Sequence, residues 1–63
     1  MNGENYGVCR LALVQVKAGP DDRAGQVTQL LFGDHYEVLE YSANGLWLYI
    51  KIFNDGQEGW IAI

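Results

Sequence analysis

Apolar and polar residues alternate most clearly between positions 46 and 53. Leu46, Leu48, Ile50 and Ile52 fall on one side of this stretch, and Trp47, Tyr49, Lys51 and Phe53 on the other. A period of two marks a β-strand with one buried face. The pattern predicts the aliphatic side inward, which leaves Trp47 and Tyr49 pointing outward. Shorter runs of strand character flank it. Tyr6 to Val16, rich in Val and Leu, reads as a leading strand, and Val27 to Phe32 as a second. His35 to Tyr41 reads as a third, with Tyr36 and Val38 on one face and His35 and Glu37 on the other. In the closing strand, Gln57 to Ile61, Gly59 and Ile61 share a side opposite Trp60, so Trp60 is expected to be partly exposed.

Turn signals separate these runs. Lys17 to Gly25 contains Gly19-Pro20-Asp21-Asp22, and proline cannot serve a central ladder, so a long loop is expected after the first strand. Gly33-Asp34 stops the second strand. Asn44-Gly45 suits a two-residue hairpin, whose central residues need φ > 0, and Asn54-Asp55-Gly56 suits another tight turn. Nowhere do apolar residues recur at helical spacing with start and stop signals. About five short antiparallel strands therefore follow from the pattern. Rolled into a small barrel they pair their own edges and bury one core, with Tyr36 and Phe32 supplying interior bulk. Residues 1–5 read as a polar, flexible lead-in and residues 6–63 as one barrel domain.

The order of these elements resembles the bacterial SH3 (SH3b) family. The resemblance lies in Leu30-Leu31-Phe32-Gly33-Asp34, a strand ending in Val38-Leu39, Trp47 three positions before Ile50, and the closing Gly59-Trp60-Ile61. It covers roughly Tyr6 to Ile63 and implies an all-β, SH3-like barrel. Leu-Leu-Phe-Gly-Asp, together with Asp55-Gly56-Gln57-Glu58-Gly59-Trp60-Ile61, further resembles the N-terminal SH3b domain of NlpC-type cell-wall cysteine peptidases. That resemblance implies a cell-envelope, periplasmic or extracellular setting. It also implies a role in recognising or orienting peptidoglycan stem peptides for an adjoining catalytic domain. The sequence carries no such domain, and its last residues, Trp60-Ile61-Ala62-Ile63, are still apolar, as expected of a piece cut from something longer.

Composition narrows the classes. The chain has 63 residues, 49% of them hydrophobic and 19% charged, which suits a folded domain near the lower size limit for a self-supporting core. Four basic against eight acidic residues give a net charge of −4. Phosphate tracking needs clustered cations, and Arg10, Lys17, Arg23 and Lys51 are scattered, so neither nucleic acid nor an anionic membrane surface is an expected partner. No apolar run approaches the roughly 20 residues of a membrane span, and the first residues lack signal-peptide character. A monomer is expected.

No catalytic reading of this chain is favoured. Cys9 and His35 are the single thiol and the single imidazole, but Cys9 sits in an apolar strand and reads as a small buried hydrophobe. His35 reads as a solvated turn residue. The acids flank turns or face outward, with no bracketed pair for glycoside chemistry. No zinc-type or calcium-loop spacing occurs, so neither metal nor cofactor is expected.

The candidate ligand contacts are aromatic. Trp47 and Tyr49 are expected to face out beside the long loop that carries Asp21 and Asp22. Flat rings supply contact area at low entropy cost, and the loop carboxylates pair with a cationic end. Tyr41, beside the Asn-Gly turn, and Trp60 extend this patch. The leading function is therefore a peptide-positioning module, with stem peptide or adjoining catalytic domain as partner. The alternatives are an interdomain scaffold that packs on its own catalytic domain without a ligand, and a generic peptide-binding SH3-like module. Proline-rich recognition is disfavoured because Leu11 to Val16 has no tyrosine and Leu48 rather than a second Trp follows Trp47.

Overall fold

The computed structural model describes residues 5–63 and shows an all-β chain. Six strands follow one another: β1 (Asn5–Val8), β2 (Leu13–Lys17), β3 (Gln26–Leu31), β4 (His35–Tyr41), β5 (Trp47–Ile52) and β6 (Glu58–Ala62). All pair antiparallel in one sheet, in the order β1-β4-β5-β6-β2-β3. The expected first strand is thus two. Cys9 to Ala12 breaks the Val/Leu run, so β1 joins β4 while β2 pairs with both β3 and β6. Val and Leu mark buried, extended chain but do not say which neighbour it pairs with. The lead-in expectation falls mostly on residues 1–4, outside the described residues; Asn5 already opens β1.

One core joins the two halves of the sheet. Cys9, Val16 from β2, Leu30 from β3, Ile50 and Ile52 from β5 and Ile61 from β6 form a single buried cluster. Val14, Tyr36, Val38 and Leu48 pack against it. Strands as far apart in the pairing order as β4 and β3 can share a core only if the sheet curls upon itself, as in an SH3-like fold. Leu30, Ile50 and Val16 are its most completely buried large side chains.

Gly59 allows the closest approach. A methyl group there would stand 2.5 Å from Val16 Cγ1 and 2.9 Å from the Lys17 carbonyl oxygen, so β2 and β6 meet at that density only because β6 has no side chain at this point. The β4–β5 connection is longer than the two-residue hairpin the sequence suggests. Ser42 N–H bonds the Trp47 carbonyl at 3.0 Å, closing a loop of Ser42 to Leu46. Within it, Asn44 Oδ1 accepts from the Leu46 N–H at 3.0 Å, and Gly45 takes φ 74°. Leu46, expected on the inward face, belongs to this loop and is exposed.

Phe32 is a second correction. It is 74% exposed rather than interior. Leu30 takes the inward position of β3, and the chain turns at once. Asp34 N–H bonds the Leu31 carbonyl at 2.9 Å, and Leu31 N–H bonds Asp34 Oδ2 at 2.8 Å, which leaves Phe32 on the outside of the corner.

Candidate functional site

The ladder of β5 sorts its side chains as the alternation requires. Leu48, Ile50 and Ile52 face the core. The other side of β5 carries Trp47, Tyr49 and Lys51, and the register extends that side into rows across the sheet. Tyr49 stands opposite Glu40 of β4 and Trp60 of β6, and Trp60 stands opposite Lys17 of β2. Lys51 stands between Glu37 and Glu58, and Glu37 is opposite Tyr6. Directly opposed residues point to one face, so these rows form a continuous outer surface of rings and carboxylates.

Its centre is the pair Tyr49 and Trp60. Their ring centroids lie 5.0 Å apart with planes tilted by 56°, within the range of favourable edge-to-face packing. Tyr49 donates its hydroxyl to Glu58 Oε1 at 3.0 Å. That bond, then partial loss of solvent, then the negative charges of Glu58 and Glu40 hold the Tyr49 hydroxyl above its ordinary pKa. At neutral pH the phenol is therefore a neutral ring with carboxylates beside it. A second ring contact, Tyr6 to Phe53 at 5.5 Å, continues the aromatic surface, and both rings are more than half exposed.

The acidic loop joins this face at one end. Lys17, opposite Trp60, donates its Nζ to the carbonyls of Asp22 at 3.1 Å and Ala24 at 3.4 Å, which folds the loop back toward β2. Asp21 Oδ1 accepts from the Arg23 N–H at 2.9 Å in a local turn, while Asp22 is exposed. Asp21 and Asp22 thus sit on the segment that follows Lys17.

Trp47 does not point freely outward: it is only 8% exposed. It shares the side of Tyr49 and lies outside the core cluster, yet it is covered. Strands flank β5 on both sides, and Ala62 stands opposite Trp47. Tyr41 is exposed, but it is in register with Leu48 and so belongs to the opposite face. A bulge at Leu39, between Val38 and Glu40, causes this by taking one residue out of the alternation. Of the residues expected to meet, the structure brings together Tyr49 and Trp60, and ties the Asp21-Asp22 loop to Lys17, the residue opposite Trp60. It covers Trp47 and sends Tyr41 to the other side.

Glu40 and Glu58 were not singled out by sequence. A readable signal existed for Glu58: Tyr49 and Trp60 are equidistant from the Asn54-Asp55 turn, and Glu58 shares the side of Trp60. Cys9 is buried, and its Sγ donates to the Leu11 carbonyl at 3.3 Å, as befits a packed thiol. Among the described residues no group of three His, Cys, Asp or Glu side chains could hold a metal ion. Among the described residues no helix is long and apolar enough to cross a membrane.

No curated protein and no solved structure matches the chain. Residues 16–63, most of its length, match the family described as the bacterial dipeptidyl-peptidase SH3 domain. With its all-β fold and single curled sheet, the chain belongs to this bacterial SH3 family, a class of non-catalytic binding modules.

Proposed function

We propose that this domain recognises or positions peptidoglycan stem peptides for an adjoining NlpC-type cysteine endopeptidase domain, in the cell envelope. The observation that carries this reading is the outer face. The Tyr49–Trp60 ring pair has Glu40 opposite Tyr49 and Glu58 bonded to its hydroxyl, and Lys17, opposite Trp60, holds the Asp21-Asp22 loop. Rings flanked by carboxylates suit an extended peptide that ends in, or carries, an ammonium group. The cation gains from the ring faces and the carboxylates together. The net charge of −4 favours the same ligand sign.

Titrating the domain with a stem tripeptide that bears a free side-chain ammonium tests the proposal. Trp60 fluorescence and the amide signals of Tyr49, Glu58 and Trp60 should move together and saturate. A flat response at millimolar peptide would reject recognition by the isolated module. A second reading, an interdomain scaffold, is favoured by Tyr6 and Phe53, whose packed but open rings would suit cover by another domain. The structure of a longer chain separates the two, because a scaffold would bury Tyr49 and Trp60 under protein.

A further inference from the structure

The loop between β4 and β5 carries Asn44 followed by Gly45, and both are exposed. This pairing is chemically labile. The backbone nitrogen of the second residue can attack the side-chain amide of the first, and glycine obstructs that approach least. The Gly45 N–H gives its proton to hydroxide, its nitrogen bonds Asn44 Cγ, and the Cγ–Nδ2 bond breaks. Nδ2 takes protons from water and leaves as ammonia. Water then opens the succinimide ring. Opening at Cγ leaves an aspartate at this position; opening at the main-chain carbonyl leaves an isoaspartate, whose backbone is one carbon longer.

Ser42 ties down both reacting groups. The Gly45 N–H donates to the Ser42 carbonyl at 3.0 Å. Asn44 Oδ1 accepts from the Ser42 hydroxyl at 2.6 Å and from the Leu46 N–H at 3.0 Å. Ser42 Oγ accepts from the Trp47 N–H at 3.0 Å, and the Ser42 N–H donates to the Trp47 carbonyl at 3.0 Å. Two effects therefore oppose each other. Donors on Oδ1 draw charge from Cγ and favour attack, as in an oxyanion hole. Against that, hydroxide reaches the Gly45 proton only after its bond to the Ser42 carbonyl opens. The second effect decides, because a polarised Cγ gains nothing from a nitrogen that still holds its proton.

We propose that Asn44-Gly45 is a deamidation site that Ser42 keeps closed. Conversion passes only through the opened loop, so it keeps step with exchange of the Gly45 amide proton. An aspartate formed here still offers an oxygen to Ser42 and Leu46. An isoaspartate lengthens the chain between Ser42 and Trp47 and loosens the bonds that close the loop. The site is independent of any ligand on the outer face.

The 63-residue chain is held in mildly alkaline buffer and followed by heteronuclear NMR, in which conversion moves the Gly45 and Leu46 amide signals. The readout is site-resolved because a second such pair, Asn2-Gly3, lies outside the described residues. Hydrogen exchange of the Gly45 amide is measured alongside. A peptide of residues 42–47 alone is the reference. Conversion in the chain should be slower than in the peptide, by the factor that protects the Gly45 amide. Ser42→Ala should speed conversion and exchange together by about three- to tenfold, the worth of a lost hydrogen bond. Ser42→Thr, which keeps the hydroxyl, should restore both rates, and the amides of Leu30 and Ile50 report that each variant is folded. Conversion as fast as in the peptide, exchange that rises in Ser42→Ala while conversion does not, or slower conversion in that variant, the sign of a hydroxyl that assists attack, would each overturn the proposal.

Discussion

The hydroxyl of Tyr49 and the carboxylate of Glu58 are joined at 3.0 Å across the β5–β6 ladder, two residue pairs away from direct opposition. The bond links the centre of the ring pair to the acid that would meet a cation. It also makes the site visible to an alkaline titration.

Tyr49 should be among the last tyrosines to ionise. Its folded pKa lies above the usual 10.0, chiefly through the Glu58 bond, so the folded chain holds this proton more tightly than the unfolded chain does. The resulting stability is fully present below about pH 10 and is lost as pH rises through the folded value. Absorbance at the phenolate band should show one delayed tyrosine, and Glu58→Gln should bring it forward. An unchanged titration curve in that variant would contradict the assigned cause.

Gly59→Ala should destabilise the fold by about 1–3 kcal/mol, the usual range for an overpacked position. The added methyl meets Val16 Cγ1 and the Lys17 carbonyl, and the latter is backbone that cannot rotate away. Denaturant unfolding measures it. A neutral result would mean that β2 and β6 have slack where the structure shows none.

Core and corner should respond oppositely. Leu30→Ala should cost about 2–5 kcal/mol, comparable to the whole stability of a domain this small, and leave the chain largely unfolded. Phe32→Ser, two residues on, should stay within about 0.5 kcal/mol. Thermal melts of the two variants decide whether Leu30 or Phe32 is the interior residue of this segment.

The two indoles should differ in access. With Trp47 8% exposed and Trp60 half-buried, acrylamide should quench the emission of a Trp47→Phe variant, which reports Trp60, more strongly than that of a Trp60→Phe variant. Equal quenching would return Trp47 to the surface.

The fold was largely legible in the sequence because period-two burial is a local property. His35 to Tyr41 was delimited by residues that set their own extent, and the inward set Leu48, Ile50 and Ile52 followed from alternation alone. What failed depends on neighbours remote in sequence. Alternation tells which side of β5 carries Trp47, but its 8% exposure is set by tertiary packing, which alternation does not report. The break at Cys9 to Ala12 contains no Gly, Pro, Asn or Asp, so no turn signal announced that one run serves two strands. Phe32 was misplaced because bulk was counted without noting that the Asp34 turn begins at Leu31.

The extra residue at Leu39 reaches beyond its own strand. Had β4 run without interruption, Leu39 would confront Tyr49, Glu40 would be driven toward the interior, and Tyr41 would come up against Trp47. The same amino acids in an unbroken ladder would set Leu39 and Tyr41 on this side in place of Glu40, leaving Glu37 and Glu58 as its acids. The Glu40 share of this side's acidity, on which the proposed preference for a positively charged guest partly rests, is therefore stored in the path of the main chain as much as in the side chains, and a slip of one position would remove it without any mutation.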